Sequence, residues 1–137
     1  MKRKQQRKSR SNQRKETVLR FFSLLSPSLI KEARKLFAAD AKHHNPYLPE
    51  GIDALLDAII QVQKEESQDM PKDGAFDVKN VLVDGNLVAV HTTLQSKSNP
   101  NQGMRQVHLF RFKADKIVEY WDVTQMAPET PNANRMF

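Results

Sequence analysis

Two side chains near the C-terminus have the types and spacing that acid–base chemistry needs. The stretch Lys116-Ile117-Val118-Glu119-Tyr120-Trp121-Asp122-Val123-Thr124-Gln125 nearly alternates apolar and polar residues, which is the period of a β-strand. In a strand, Tyr120 and Asp122 project from one face and Trp121 from the other. A phenol and a carboxylate then stand side by side on a β surface. Partial burial disfavours a carboxylate's charged form and raises its pKa toward the working range. Such a group can remove a proton α to a carbonyl, and a phenol can donate a hydrogen bond to the enolate oxygen that develops.

A second cluster lies in the segment 40–50, where two prolines and little periodicity predict a loop. Within it His44-Asn45-Pro46 offers an imidazole that titrates near neutrality. Placed beside Asp122, His44 would complete an acid–base pair. The plainer reading of the same tripeptide is a turn in which Asn45 bonds locally before Pro46. Tyr120 and Trp121 likewise admit packing roles, and Asp122 a strand-edge hydrogen bond. His91 and His108 fall on predicted strands, as structural groups or as ligand contacts. No histidine spacing matches a helical metal motif, and there is no glycine-rich phosphate loop, so neither metal nor cofactor is expected.

These residues need elements to position them. The 137-residue chain is long enough for one domain with one core, and it has no cysteine, which excludes disulfides and thiolate chemistry. Residues 1–15 hold eight of the 22 basic residues and no acid; the remaining 14 bases face 16 acids. The basic pI therefore belongs to the tail, and the rest of the chain carries about −2. Residues 1–15 contain no apolar residue after Met1, so they read as a disordered basic extension, with a weak electrostatic contact to nucleic acid (RNA) or an anionic surface as its functional reading. Arg20 interrupts the apolar run that a signal peptide would need, and no run approaches a membrane span; a cytoplasmic protein without membrane association is expected.

From residue 16 on, apolar residues at offsets of three and four predict helices at about 16–25, 28–38 and 51–67. After Pro71 the alternation predicts four strands at about 75–83, 86–96, 104–113 and 116–125. Asp84-Gly85 supplies a hairpin turn and Ala114-Asp115 another. Helices followed by hairpin-connected strands make an α+β domain over residues 16–137, with helices packed on one face of a curved antiparallel sheet. The space between the layers either fills as a core or stays open as a pocket.

Three patterns resemble the SnoaL-like polyketide cyclase family of the nuclear transport factor 2-like superfamily. They are the His44-Asn45-Pro46 loop between helices, the run Leu109-Phe110-Arg111-Phe112 with the 116–125 strand after it, and the tail Pro131-Asn132-Ala133-Asn134-Arg135-Met136-Phe137. The resemblance spans about residues 16–137. It implies a cone-shaped sheet closed on one side by three helices around an apolar cavity, and homodimers formed through the sheet. It also implies cofactor-free aldol-type ring closure, or related enol or dehydration chemistry, on a small hydrophobic carbonyl compound. Asp122 takes the acid–base role in this reading and His44 a supporting one. Tyr120, His108, His91, Asn45 and Trp121 become candidates for binding the substrate. Many relatives carry His at the position of Tyr120 and Asp at that of His108. A non-catalytic ligand-binding or dimerisation module is the alternative.

Overall fold

The computed structural model describes residues 2–64 and 73–137, and only the backbone of residues 2–8. Helix α1 runs over Lys2–Ser23, α2 over Ile30–Arg34, and α3 over Ile52–Lys64. Strand β1 (Phe37–His43) lies between α2 and α3; β2 (Gly74–Asp84), β3 (Leu87–Ser96), β4 (Gly103–Lys113) and β5 (Lys116–Met126) follow. A short 3-10 turn, Ala133–Met136, ends the chain. The strands form one sheet in the order β1-β5-β4-β3-β2. Register shifts between Val78 and Asn80 and between Arg111 and Phe112 mark bulges that bend it. It remains open, with β1 and β2 at its edges.

The expected α+β layering holds, with two differences. The sheet is mixed, because β1 pairs parallel to β5. The segment read as the end of a helix and the start of a loop is in fact this fifth strand. Phe37 and Ala41 are its buried residues, and an offset of four puts two residues on one face of a strand as well as of a helix. The Ala-rich sequence between them gives no β signal. Arg34 fixes the strand's start: its guanidinium donates to the carbonyls of Ala38 and Ala39 and pairs with Asp53 of α3 at 2.8 Å.

The second difference is α1, which begins at Lys2 rather than near residue 16. Lys, Arg and Gln are good helix formers, and residues 2–15 contain neither Gly nor Pro. The costly nucleus is supplied at the other end, where Val18 and Phe21 are buried in the core. The third helix was expected to reach residue 67; positions 65–67 lie outside the described residues. No described helix is long and apolar enough to cross a membrane.

The helices cover one face of the sheet. Phe21 sits at the centre, edge-on to Phe37 at 5.6 Å and to Phe110 at 5.4 Å. Val88, Val90, Phe112 and Ile117 from the sheet and Ile52, Leu55 and Leu56 from α3 complete the core, each large side chain contributing about 1.5–3 kcal/mol by burial. The opposite face keeps apolar residues in solvent, among them Leu82 at 70% and Val123 at 68% exposure. At the wide end, the Asp73 carboxylate accepts from Ser96 Oγ at 2.8 Å and Ser98 N at 2.6 Å; the side-chain bonds from Ser98 and Ser96 hold its pKa at about 2.

Two backbone positions give a test. Gly103 opens β4 at φ +141°, where an added Cβ would overlap the backbone carbonyl of Leu94. Ala114, in the β4–β5 turn, sits at φ 53°, a conformation that costs a non-glycine residue about 1–2 kcal/mol. Gly103→Ala is expected to destabilise by about 2 kcal/mol or more, and Ala114→Gly to stabilise by about 0.5–1 kcal/mol. Urea denaturation of the two variants checks both signs.

Candidate active site

The register of β4 against β5 builds the site. His108 pairs directly with Asp122, Gln106 with Thr124, and Phe110 with Tyr120. All six side chains belong to the helix-covered face. They form three cross-strand rows, two polar and one aromatic between them and the core. Above the polar rows the layers part and leave a cavity of about 350 Å³. Phe22 of α1, Leu25 just after it, and Leu55, Ile59 and Val62 of α3 make its apolar wall; Asn45, Gln106, His108, Tyr120, Asp122 and Thr124 make its polar one.

Asp122 is half-buried in this wall. Burial raises its pKa from the ordinary carboxylate value, opposed by a hydrogen bond from Asn45 and by the nearby His43. The Asn45 contact is long, Nδ2 to Oδ2 at 3.5 Å. Asn45 is oriented by its own turn, because its Oδ1 accepts from the Tyr47 N–H at 3.0 Å, which leaves the amide N–H₂ for Asp122.

His43 holds the same loop from beneath. Its Nδ1 accepts the Asn45 backbone N–H at 3.1 Å, and its Nε2 lies 2.6 Å from the Pro49 carbonyl. A ring that accepts at Nδ1 and meets a carbonyl at Nε2 carries its proton on Nε2. Both bonds together pin the segment that delivers Asn45.

Below Asp122 runs a buried chain of three side chains. Tyr120 Oη meets His108 Nδ1 at 2.7 Å, and His108 Nε2 meets Thr92 Oγ1 at 3.0 Å. His108 is 5% exposed and Tyr120 3%. Burial lowers the His108 pKa to about 4, so the ring is neutral at pH 7. Burial, then the Asp122 charge, pushes Tyr120 well above its ordinary value. A neutral imidazole has one donor and one acceptor. Of the two hydroxyls flanking it, one therefore donates to the ring and the other accepts from it. When Thr92 donates to Nε2, His108 donates to Tyr120 and the phenol proton is free for another acceptor.

The structure thus gathers Asp122, Tyr120, His108 and Asn45 around one cavity. It does not bring His44, His91 or Trp121 there. His44 lies on the other side of the sheet, stacked on Trp121 at 4.7 Å and 11°. Its Nε2 meets Glu119 Oε2 at 2.7 Å, and Glu119 also takes Arg111 Nε at 3.2 Å. Glu119 and Trp121 alternate with Tyr120 and Asp122, so strand β5 itself separates His44 from the acid. Because β1 pairs with β5 and the His44 N–H bonds to the Tyr120 carbonyl, it is Asn45 rather than His44 that enters the cavity. His91 shares the outer face, bonded to Asn80 at 3.1 Å. Sequence reasoning missed Gln106, Thr124 and Thr92. The first two are in phase with His108 and Asp122 and the third with Val88 and Val90, and that alternation was the available signal; His43 had none. Among the described residues, no group of three His, Asp or Glu side chains is disposed to hold a metal ion.

The neutral His108 has a measurable consequence. Its pKa moves from 6.5 to about 4 on folding, so between those values the unfolded chain binds a proton that the folded chain does not. The contribution of His108 to stability is complete above about pH 6.5 and is lost progressively as pH falls to about 4, a loss of about 3 kcal/mol. Denaturation across that interval is expected to show this slope in the wild type and a clearly shallower one in His108→Gln.

Comparison with known proteins agrees with this architecture. The SnoaL-like domain family matches residues 18–120. No curated protein matches the chain. Among solved structures, a candidate ketosteroid isomerase from Kribbella flavida superposes with a TM-score of 0.65 at 19% identity, over 88% of this chain and 84% of its own. A candidate SnoaL-like polyketide cyclase from Jannaschia sp. gives 0.63 at 22% identity, over 85% and 88%. An NTF2-like protein of unknown function from Burkholderia xenovorans gives 0.65 at 14% identity, over 93% and 94%. At these identities the likeness is one of fold. The match over residues 18–120 carries the assignment: the chain belongs to the SnoaL-like domain family.

Proposed function

We propose that this protein binds a small, largely apolar, carbonyl-bearing molecule in its cavity and moves a proton on it with Asp122. The observation that carries this reading is a half-buried carboxyl with a raised pKa, set directly across from a neutral His108 on the polar wall of a hollow whose other wall is apolar. A hollow of about 350 Å³ lies within the range of small-molecule sites.

In this reading the Asp122 carboxylate takes a proton from the carbon next to a carbonyl. The electron pair moves to the carbonyl oxygen as an enolate. The Asn45 amide, and the Tyr120 hydroxyl freed by the Thr92–His108 chain, donate to that oxygen. The enolate carbon then attacks a second carbonyl of the same molecule. A carbon–carbon bond forms, and Asp122 returns its proton to the new alkoxide. Loss of water from that product, or simple return of the proton elsewhere, uses the same groups. His44 has no part in the reaction and acts as a clamp between β1 and β5.

Deuterium uptake tests the first step without knowledge of the natural substrate. Small cyclic and β-dicarbonyl ketones incubated with the protein in D₂O are expected to exchange their α-protons. Asp122→Asn is expected to slow exchange by about 10²–10⁴-fold, and His44→Ala to leave it unchanged. The sign of the stability effect is a second readout. A carboxyl whose folded pKa is raised contributes stability below its unfolded pKa and loses it as pH rises through the folded one. Asp122→Asn should therefore raise the melting temperature at pH 7. Absence of enzyme-dependent exchange, or equal rates for wild type and Asp122→Asn, rejects the catalytic reading in favour of binding alone.

The outer sheet face supports a second element of the proposal, a homodimer. Leu82, Val107 and Val123 are exposed there beside Trp121, a concentration of apolar surface that a partner sheet would cover. Sedimentation equilibrium is expected to give twice the chain mass, and Val123→Lys to give monomers with unchanged helix and sheet content. A monomeric wild type refutes this element.

A further inference from the structure

The cavity leaves the first half of α1 without a role. Residues 2–15 include Lys2, Arg3, Lys4, Arg7, Lys8, Arg10, Arg14 and Lys15, with no acid and no apolar residue. They are helical and continuous with the packed half of α1, so they extend over roughly 20 Å at 1.5 Å per residue. We propose that this segment is a binding element for the phosphate backbone of duplex DNA.

Charge and accessibility point to a polyanion. Among the described residues, no carboxylate pairs with Arg10, Arg14 or Lys15. Arg10, Asn12, Gln13 and Lys15 are exposed. The helix has no acid in its first turn, and its cations stand at the end where the backbone dipole is already positive. An anion laid along this end relieves both repulsions at once.

The helix is also held in place. Arg14 Nη1 donates to the Gly85 carbonyl at 2.6 Å, and its guanidinium lies 5.9 Å from the Phe112 ring. One cation is thereby used as an anchor to the sheet, while Arg10 and Lys15 on either side of it are exposed.

Chemistry selects among polyanions. An anionic membrane is recognised by a helix with an apolar face, and residues 2–16 have none. Gln5, Gln6, Ser9, Ser11, Asn12 and Gln13 are instead hydrogen-bonding side chains of the kind that meet phosphates and base edges. An α-helix of 10–12 Å diameter fits the B-form major groove of about 12 Å, whereas the A-form RNA groove is too narrow. The rest of the chain carries about −2, so attraction to DNA resides in this helix.

Fluorescence anisotropy of the full chain with a labelled duplex of about 20 bp, titrated between about 50 and 200 mM salt, tests the proposal. Neutralising five to seven phosphates predicts a slope of log K on log salt of about −4.5 to −6, and a loss of affinity near 10³-fold across that range. The triple variant Arg7→Gln, Arg10→Gln, Lys15→Gln is expected to flatten the slope by about 2.7 and to weaken binding at least tenfold. Its melting temperature should be unchanged, because Arg10 and Lys15 are exposed and the buried residues described in α1 begin at Val18. Three results overturn the proposal: no duplex binding at the lowest salt, equal binding by the triple variant, or tighter binding to duplex RNA or to phosphatidylserine vesicles. None of these bears on proton exchange in the cavity.

Discussion

The pairing of β4 with β5 is the constraint on which the rest depends. A two-residue turn at Ala114-Asp115 and a bulge between Arg111 and Phe112 set which residues face each other. Because side chains alternate with period two, one residue of slip would send His108 and Asp122 to the outer face and put Glu119 and Trp121 inside. The core blocks that slip: Phe110, Phe112, Ile117 and Tyr120 lie on the same face and are almost wholly buried. Packing of the aromatic row thus holds the polar rows in position, and the site's geometry follows from the hydrophobic effect. The helices then decide what those rows look out on. The apolar side chains of α1 and α3 pack over Phe110 and leave a hollow beside Asp122, where partial burial disfavours the carboxyl's charged form.

Much of this was legible in the sequence, and the failures share one cause. Alternation placed Tyr120 and Asp122 together and Trp121 opposite. The four hairpin strands came out within about one residue at each end, and Gly85 has the positive φ expected of its turn. The error over His44 came from β1. With no strand recognised there, the histidine was free to swing in any direction. Once β1 is seen to pair parallel with β5, His44 must follow that strand's alternation and falls on the outer face, while Asn45 takes the inner one. A parallel pairing between residues some 80 positions apart leaves no local trace, since neither a turn nor a shared period connects them. The early start of α1 is another case. Composition identified residues 2–15 as unable to bury a core, which is true, but their backbone borrows its nucleus from the packed turns that follow.

His108 and Tyr120, the two positions at which the sequence resemblance implies Asp and His in many relatives, touch. Oη and Nδ1 lie 2.7 Å apart. Two positions that look independent in sequence are therefore one hydrogen-bonded pair. An Asp–His pair would bury a carboxylate and favour a charged ring; a His–Tyr pair buries two groups that are both neutral at pH 7. Neutral groups cost far less to bury than ions, provided each polar atom finds a partner, and Thr92 supplies the remaining one.

The neutrality of this pair bears on the proton transfer proposed for the cavity. A charged His beside Asp122 would lower the acid's pKa and hold it as a carboxylate. The neutral ring removes that influence, so burial governs and the pKa rises. In the proposed reaction Asp122, its pKa raised by burial, is the group of the polar wall that exchanges a proton, while His108 and Tyr120 stay neutral and act through hydrogen-bond direction alone. The division is a physical one. Groups sealed in the core resist ionisation and can only orient, and the group at the cavity's edge, half in contact with solvent, can titrate. In the proposed function the step from core to cavity along two strands thus sets which side chain serves as the acid and which ones aim it.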